Sequence, residues 1–348
     1  MAVHVPLSEE AQRESETRMM ANLGLIKPAN GEPAMLPRHE MILGIYWLTM
    51  DFSEEIKEEK ELKTFSSEKE ALFAYEYKKI DLHEAIRAKI SKEDNKLTTT
   101  TVGRIIFNEA LPKEFPFYNK QLAVKEMKQV AKEILGYYKD FKKSAEVLDA
   151  IKDLGFHYAT LSGISWGLTD LRIPKEKPAI LAETSKKVEE IINQYREGFL
   201  TSQERKDLIK TQWWQASNQV SALVEKSLEK NDSIYIFFNS GAKGNWGIAA
   251  QIMGMKGLVV DPLGRSIEMP ILSSHQEGFN VLEYFAASHG GRKGLADTAL
   301  KTSFAGYLTR RLVDVAQDVI VKEEDCRCKK GLLVNRKECE LEDVSFEK

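Results

Sequence analysis

Apolar positions between residues 181 and 230 fall on one face of two successive helices. Val188, Ile191, Ile192 and Tyr195 stand at i, i+3, i+4 and i+7. Gly198 follows as a stop. Thr201-Ser202-Gln203-Glu204 then has the form of a capping box, with the threonine accepting from the backbone and the glutamate reaching back. A second stripe runs through Ile209, Trp213, Ala216, Val220 and Val224. The pattern predicts two antiparallel helices joined by a short turn. They could form a projecting coiled pair, the edge of a bundle or an ordinary packed hairpin.

A longer helical rhythm occupies residues 277–321, where Leu295, Ala299, Tyr307, Leu308, Leu312 and Val315 keep the period. A helix of about 35 residues would reach on the order of 50 Å. Gly290, Gly291, Gly294 and Gly306 interrupt it, each costing about 1 kcal/mol against alanine in a helix interior. Such a segment predicts an element that crosses open space and can bend. Arg292 and Arg310 are five turns apart and point the same way, and Lys293 and Arg311 repeat the relation. This cationic row could hold phosphates. Equally, it could pair with neighbours such as Asp297 and Asp314.

Elsewhere the pattern is less regular. Residues 1–52 are mixed, and KPANGEPAMLPRHE reads as an irregular loop. MILGIYWLTM (41–50) is an apolar run that could be a buried strand or a short helix. The charged stretch from residue 52 to 80 has helical spacing only late on, and its early acid/base mixture suggests a solvated face. TTTTVGRIIFNEALP (98–112) suggests a strand and a turn, followed by two helices. The glycines and alternation of LGFHYATLSGISWGLTDLRIP (154–174) suggest a strand plus turn. The fold class expected is α+β in several parts.

Composition narrows the function. Hydrophobic residues make up 43% and charged residues 30%, as in globular proteins. No apolar run approaches the roughly 18 residues of a membrane helix, and MAVHVPLSEEAQRE has no basic flank followed by an apolar stretch, so no signal peptide is expected. The net charge of −3 provides no global basic field, so any nucleic-acid contact rests on local clusters. Three cysteines suit a reducing cytoplasm more than a disulfide framework. Cys326-x-Cys328 could begin a zinc site, but only Cys339 remains to help complete it. The six histidines form no close metal pair, and no Ser/His/Asp or Cys/His arrangement stands out. SGAKGNWG (240–247) is neither a P-loop nor a dinucleotide fingerprint.

Several long strings nonetheless resemble one family, the β′ subunit of bacterial RNA polymerase. They are MAVHVPLSEEAQ, KPANGEPAMLP, TTVGRIIFNEALP, INQYREGFLTSQER, QIMGMKGLVVDPLGRSIEMPI, HGGRKGLADTALKT and GYLTRRLVDVAQDVIVKEEDC, in the family's order across residues 1–326. The resemblance implies a segment following the active-site barrel (1–35), a mixed pore domain (36–180), and an antiparallel rim-helix hairpin with the start of a bridge-supporting loop (181–262). The rest of that loop, a glycine-interrupted bridge helix and the start of the following cleft region would occupy 263–348. It also implies that His289, Arg292, Lys293, Thr302, Ser303, Arg310 and Arg311 face nucleic acid, the active centre or the supporting loop. In that loop the corresponding residues are Lys243, Gln251 and Lys256.

The implied reaction is nucleotidyl transfer to an RNA 3′-hydroxyl, with two metal ions in line. The family's Mg2+-binding NADFDGD motif does not occur in the sequence, and the trigger loop and the later cysteines that would bind Zn2+ with Cys326 are expected elsewhere. No catalytic residue is therefore assigned in this chain, and alone it is expected to be inactive. A gene fragment, a split subunit and a start codon placed too late would each give this sequence. Implied partners are the β, α and omega subunits, the remaining β′ segments, template DNA, RNA, nucleoside triphosphates, sigma and secondary-channel factors, in the cytoplasm with the nucleoid and away from membranes. The rival expectation is a non-catalytic scaffold derived from β′. The sequence departs from the family pattern at Lys243 and Lys256, which keep charge but lose the arginine fork, and at Ala250, Gln276, Phe304 and Ala305.

Overall fold

A computed structural model describes residues 4–27, 29–50, 62–93, 96–138, 140–320, 322–323 and 325–328. They form two compact units, one from residues 1–258 with 268–279 and one from 259–267 with 280–348.

The first unit opens with α1 (Glu9–Glu14) and then α2 (Glu40–Leu48). The apolar run at 41–50 is thus helical. Ile42, Gly44, Ile45, Tyr46 and Leu48 are all buried, the mark of a helix enclosed on most sides. A small sheet follows from β1 (Thr64–Phe65), β2 (Ala85–Ile90) and β3 (Lys96–Thr101), with α3 (Glu68–Glu76) between the first two strands. The order is β1-β2-β3, parallel then antiparallel. Ile86, Ala88 and Ile90 alternate inward on the central strand. The early acid/base mixture of the 52–80 stretch lies largely outside the described residues.

Two expectations fail against the structure. Residues 98–112 hold the end of β3 and then α4 (Val102–Glu109), in place of the expected turn. Thr101 ends the strand and caps the helix, its Oγ1 accepting from the Arg104 N–H at 3.3 Å. Residues 154–174 contain no strand. Residues 154–162 complete α6 (Phe141–Ser162), which follows α5 (Val124–Tyr137). Gly163 does end the helix, at φ 56°, while Gly155 serves packing. A Cβ on Gly44 would meet the Gly155 carbonyl oxygen at 1.8 Å, and one on Gly155 would meet the Met41 oxygen at 2.5 Å. The helices α2 and α6 therefore cross backbone against backbone.

Around this crossing lies the main core, from Ile42 to Tyr158, including Phe107, Leu122, Met127 and Ile134. Thr49, Arg104 and Asn108, buried within it, have hydrogen-bond partners. Thr49 Oγ1 donates to Ile45 O and accepts from Leu122 N, while Arg104 Nε donates to Thr49 O at 3.3 Å. Asn108 clamps the loop after α4 through Tyr118 N–H and carbonyl, at 2.8 and 3.0 Å.

The hairpin forms as its stripe predicts, from α7 (Lys177–Arg196) and α8 (Ser202–Lys226). Gly198 turns the chain at φ 85°, and Thr201 and Glu204 make the reciprocal cap. Ile209, Trp213 and Ala216 pack against Ile180, Leu181, Val188, Ile191 and Ile192, with Leu258 and Leu272 closing the cluster. The short helices α9 (Ser233–Asn239) and α10 (Trp246–Ala249) pack through Ile234, Phe238 and Ala249 against Val224 of α8.

The second unit is dominated by α11 (Val281–Ala316), 36 residues long, or about 54 Å. Asn280 and Glu283 form its capping box. Gly290, Gly291, Gly294 and Gly306 all sit within continuous helix. Glycine weakens a helix by entropy without blocking its hydrogen bonds. Nothing lies within 4 Å of a Cβ placed on any of the four. A hairpin-like loop at 259–267 accompanies the helix, closed by the Val260–Ser266 bridge and an Asp261-Pro262-Leu263-Gly264 turn. Among the described residues, no helix is long and apolar enough to cross a membrane.

Candidate nucleic-acid interface

Along α11 only Glu283 and Ala286 are buried, and residues 298–316 are exposed throughout. A helix this exposed gains little from an apolar face, so its side chains are left to interact with other groups. Arg292 and Arg310 share one direction but lie about 27 Å apart along the axis. They cannot grip one phosphate, but two separated points on a polyanion are within their reach.

The described neighbours use the cations unequally. Arg292 is exposed, and no ion pair to it is found among the described residues. Arg310 Nε stands 4.0 Å from Asp314, with both side chains largely in solvent, so this i,i+4 pair holds it weakly. Arg311 lies over the Tyr307 ring, 4.4 Å from its centroid. Lys293 does not pair with Asp297, which faces Lys301 at 3.6 Å instead. The Lys293 ammonium donates to the Pro262 carbonyl at 3.1 Å and so ties α11 to its own loop.

The remaining residues expected to make contacts from α11 turn to partners within the helix itself. His289 meets Phe285 edge-on at 5.0 Å. Thr302 Oγ1 donates to Thr298 O at 2.7 Å and Ser303 Oγ to Leu300 O at 2.9 Å. With their protons returned to the helix, these hydroxyls present lone pairs outward and would have to rotate to donate to a phosphate.

In the first unit Lys243 is exposed beside Gly244, which has φ 79°. Gln251 is exposed, and its carbonyl accepts from His275 N–H at 3.3 Å. Lys256 stands over the Phe279 ring at 5.4 Å, and His275 packs on the same ring at 4.9 Å. Burial, with the Lys256 charge adding to it, holds the His275 imidazole below its usual pKa. Cys326 and Cys328 are both exposed, and Cys339 lies outside the described residues. Among the described residues no His, Cys, Asp or Glu group converges to hold a metal. The two cysteines alone do not make a zinc site.

The pattern along the chain misses Pro262 as the partner of Lys293. The Asp-Pro-x-Gly turn could locate the loop tip, but no local signal identifies which lysine reaches it. It also misses the pairing of Lys177 with Glu277, which joins residues far apart in sequence.

Comparison with known proteins finds relatives along most of the chain. Residues 24–171 match the family described as RNA polymerase Rpb1, domain 3, and residues 278–342 match RNA polymerase Rpb1, domain 5. The DNA-directed RNA polymerase subunit beta' of Bacillus cytotoxicus is 43% identical over 96% of this chain and 31% of its own length. That of Syntrophomonas wolfei is 41% identical over 97% and 30%, and that of Desulforudis audaxviator 46% over 94% and 28%. The chain thus spans about 30% of the length of the curated relatives it matches. It belongs to the β′ subunit family of bacterial DNA-directed RNA polymerase.

Proposed function

We propose that this chain contributes the pore domain, rim-helix hairpin and bridge helix of a DNA-directed RNA polymerase, a multisubunit nucleotidyltransferase. On this reading residues 1–35 follow the active-site barrel, 36–180 form the pore domain, and 181–262 form the rim helices and the start of the supporting loop. Residues 263–348 complete that loop and carry the bridge helix, α11. The observation that carries the proposal is a 36-residue helix exposed along most of its length, in a chain of β′ relationship. A helix whose apolar residues stay exposed persists where other groups line it, and its cations at five-turn spacing suit a nucleic acid passing alongside.

The chain's own groups would act by positioning. Arg292 would hold a backbone phosphate by a charge-assisted bond, and Lys293 would fix the supporting loop to the helix. Mg2+, when bound in the complete enzyme, supplies charge stabilisation at the transferred phosphoryl group. The aspartate motif that binds it is absent from these 348 residues, so the isolated chain is expected to extend no primer. The β, α and omega subunits, the other β′ segments, nucleoside triphosphates, sigma and secondary-channel factors are the partners this reading requires. A second reading, a non-catalytic scaffold derived from β′, shares the missing motif.

Reconstitution separates the two. The chain combined with the remaining β′ segments and the other subunits should restore primer extension. No extension from a fully assembled complex would favour the scaffold. In an active assembly Arg292→Ala should slow elongation, and unchanged rates would remove its assigned role.

A further inference from the structure

His39 begins α2 in a backbone conformation that local rules oppose. Its φ is 51° with ψ −121°, a region that residues carrying a Cβ rarely adopt. As the N-cap of α2 it accepts no helix N–H through its side chain, so capping does not offset the strain. A distant partner does. Its Nδ1 lies 3.1 Å from the carbonyl oxygen of Ala242, 203 residues along the chain. A carbonyl oxygen only accepts, so Nδ1 carries the proton and donates. Ala242 is buried, and the next residue, Lys243, is exposed.

The turn that holds Ala242 is gripped at further points by α2 and α5. Asn239 Nδ2 donates to the hydroxyl of Tyr46, on α2, at 2.7 Å. Val124 N–H, at the start of α5, donates to Ser240 O at 3.4 Å. Gly241 adopts φ 70°, and a Cβ there would meet Val124 Cγ2 at 3.0 Å. Beyond the turn Asn245 caps α10, its Oδ1 accepting from Ile248 N–H at 2.9 Å. Between these two ends the His39 bond reaches the residue beside Lys243. We infer that His39 is a positioning residue whose imidazole, aimed by a strained backbone, anchors the 240–244 turn and with it the backbone that carries Lys243. Strain and anchor belong together, because an ordinary φ would re-aim the Cα–Cβ bond of His39 and take the ring off Ala242 O. The inference rests on the polymerase reading for its consequence, since there Lys243 belongs to the bridge-supporting loop.

Hydrogen exchange on the purified full chain tests the anchor directly. The Gly241 and Ala242 amides donate to Phe238 O and Ser240 Oγ, both at 3.2 Å, so their exchange reports opening of the turn. His39→Ala removes the donor and should speed exchange of these two amides about tenfold while leaving Val130–Ile134 in α5 unchanged, as expected for a local opening. Should His39→Ala fail to fold, His39→Gly removes the donor and relieves the strain together, and should loosen the same two amides. His39→Asn should keep the wild-type pattern, because its amide N–H stands where Nδ1 does and asparagine tolerates positive φ. Unchanged exchange at 241–242 on loss of the donor, a uniform rise everywhere, or an asparagine variant as loose as the alanine one would overturn the inference. In an active reconstituted enzyme His39→Ala should slow elongation several-fold and His39→Asn should restore it. An enzyme indifferent to His39→Ala while the two amides respond would count against the polymerase reading and leave the anchor standing.

Discussion

At Gly44 and Gly155 the backbones of α2 and α6 meet with no room for a methyl group, since the nearest obstacle is a carbonyl oxygen that no rotamer change can move. Gly44→Ala should lower stability by about 3 kcal/mol or more, at the upper end of overpacking costs. Gly290→Ala should act oppositely, because its Cβ would enter open space on an exposed helix, and should stabilise α11 by about 1 kcal/mol. Denaturant midpoints for the first and exchange within α11 for the second check these signs. Tyr158 gives a pH dependence. Burial, with nearby Tyr75 contributing, pushes its phenol up to about 12. Its folded-state value lies above the unfolded one, so the stability it contributes is complete below about pH 10 and is lost as pH rises toward 12. Tyr158→Phe should lose less stability than the parent between pH 10 and 12 in unfolding titrations. A parallel decline would remove Tyr158 as the cause.

At the scale of elements, the hairpin is legible in the sequence because everything that defines it is local. Its stripe, Gly198 and the Thr201–Glu204 cap lie within one stretch of sequence and obey helix geometry. Thr201→Ala should cost about 1 kcal/mol, seen as faster exchange at the start of α8, with the first-turn amides of α7 unaffected. The strand expected at 154–174 fails for a reason equally specific. Gly155 is a packing glycine facing Met41, and its sequence neighbours do not reveal that contact. At 98–112 the β-branched run does mark β3, but Thr101 has a second use as a helix cap that the strand pattern conceals. Helix α11 lies inside the 277–321 stretch that carries the rhythm, and its 36 residues match the expected length of about 35. Its glycines weaken a helix without breaking it, so the four positions are continuous turns.

For the whole molecule, the charge balance matters more than any one contact. With a net charge of −3, general attraction to a polyanion is weak, so binding must depend on few cations at defined places. In a reconstituted complex, removing Arg292 should reduce the salt dependence of template retention by about one counterion. An unchanged salt slope would mean that Arg292 touches no phosphate. The sequence by itself determined the family, the α+β class, the hairpin and the presence of one long cationic helix, because each rests on strings or periodicities that neighbouring residues carry. Only the tertiary structure decided that Lys293 serves a loop carbonyl and that Lys177 finds Glu277. The reason is physical: a polar side chain's role is set by the partner that folding brings within hydrogen-bond reach. For Lys177 and Glu277 that partner lies 100 residues away along the chain.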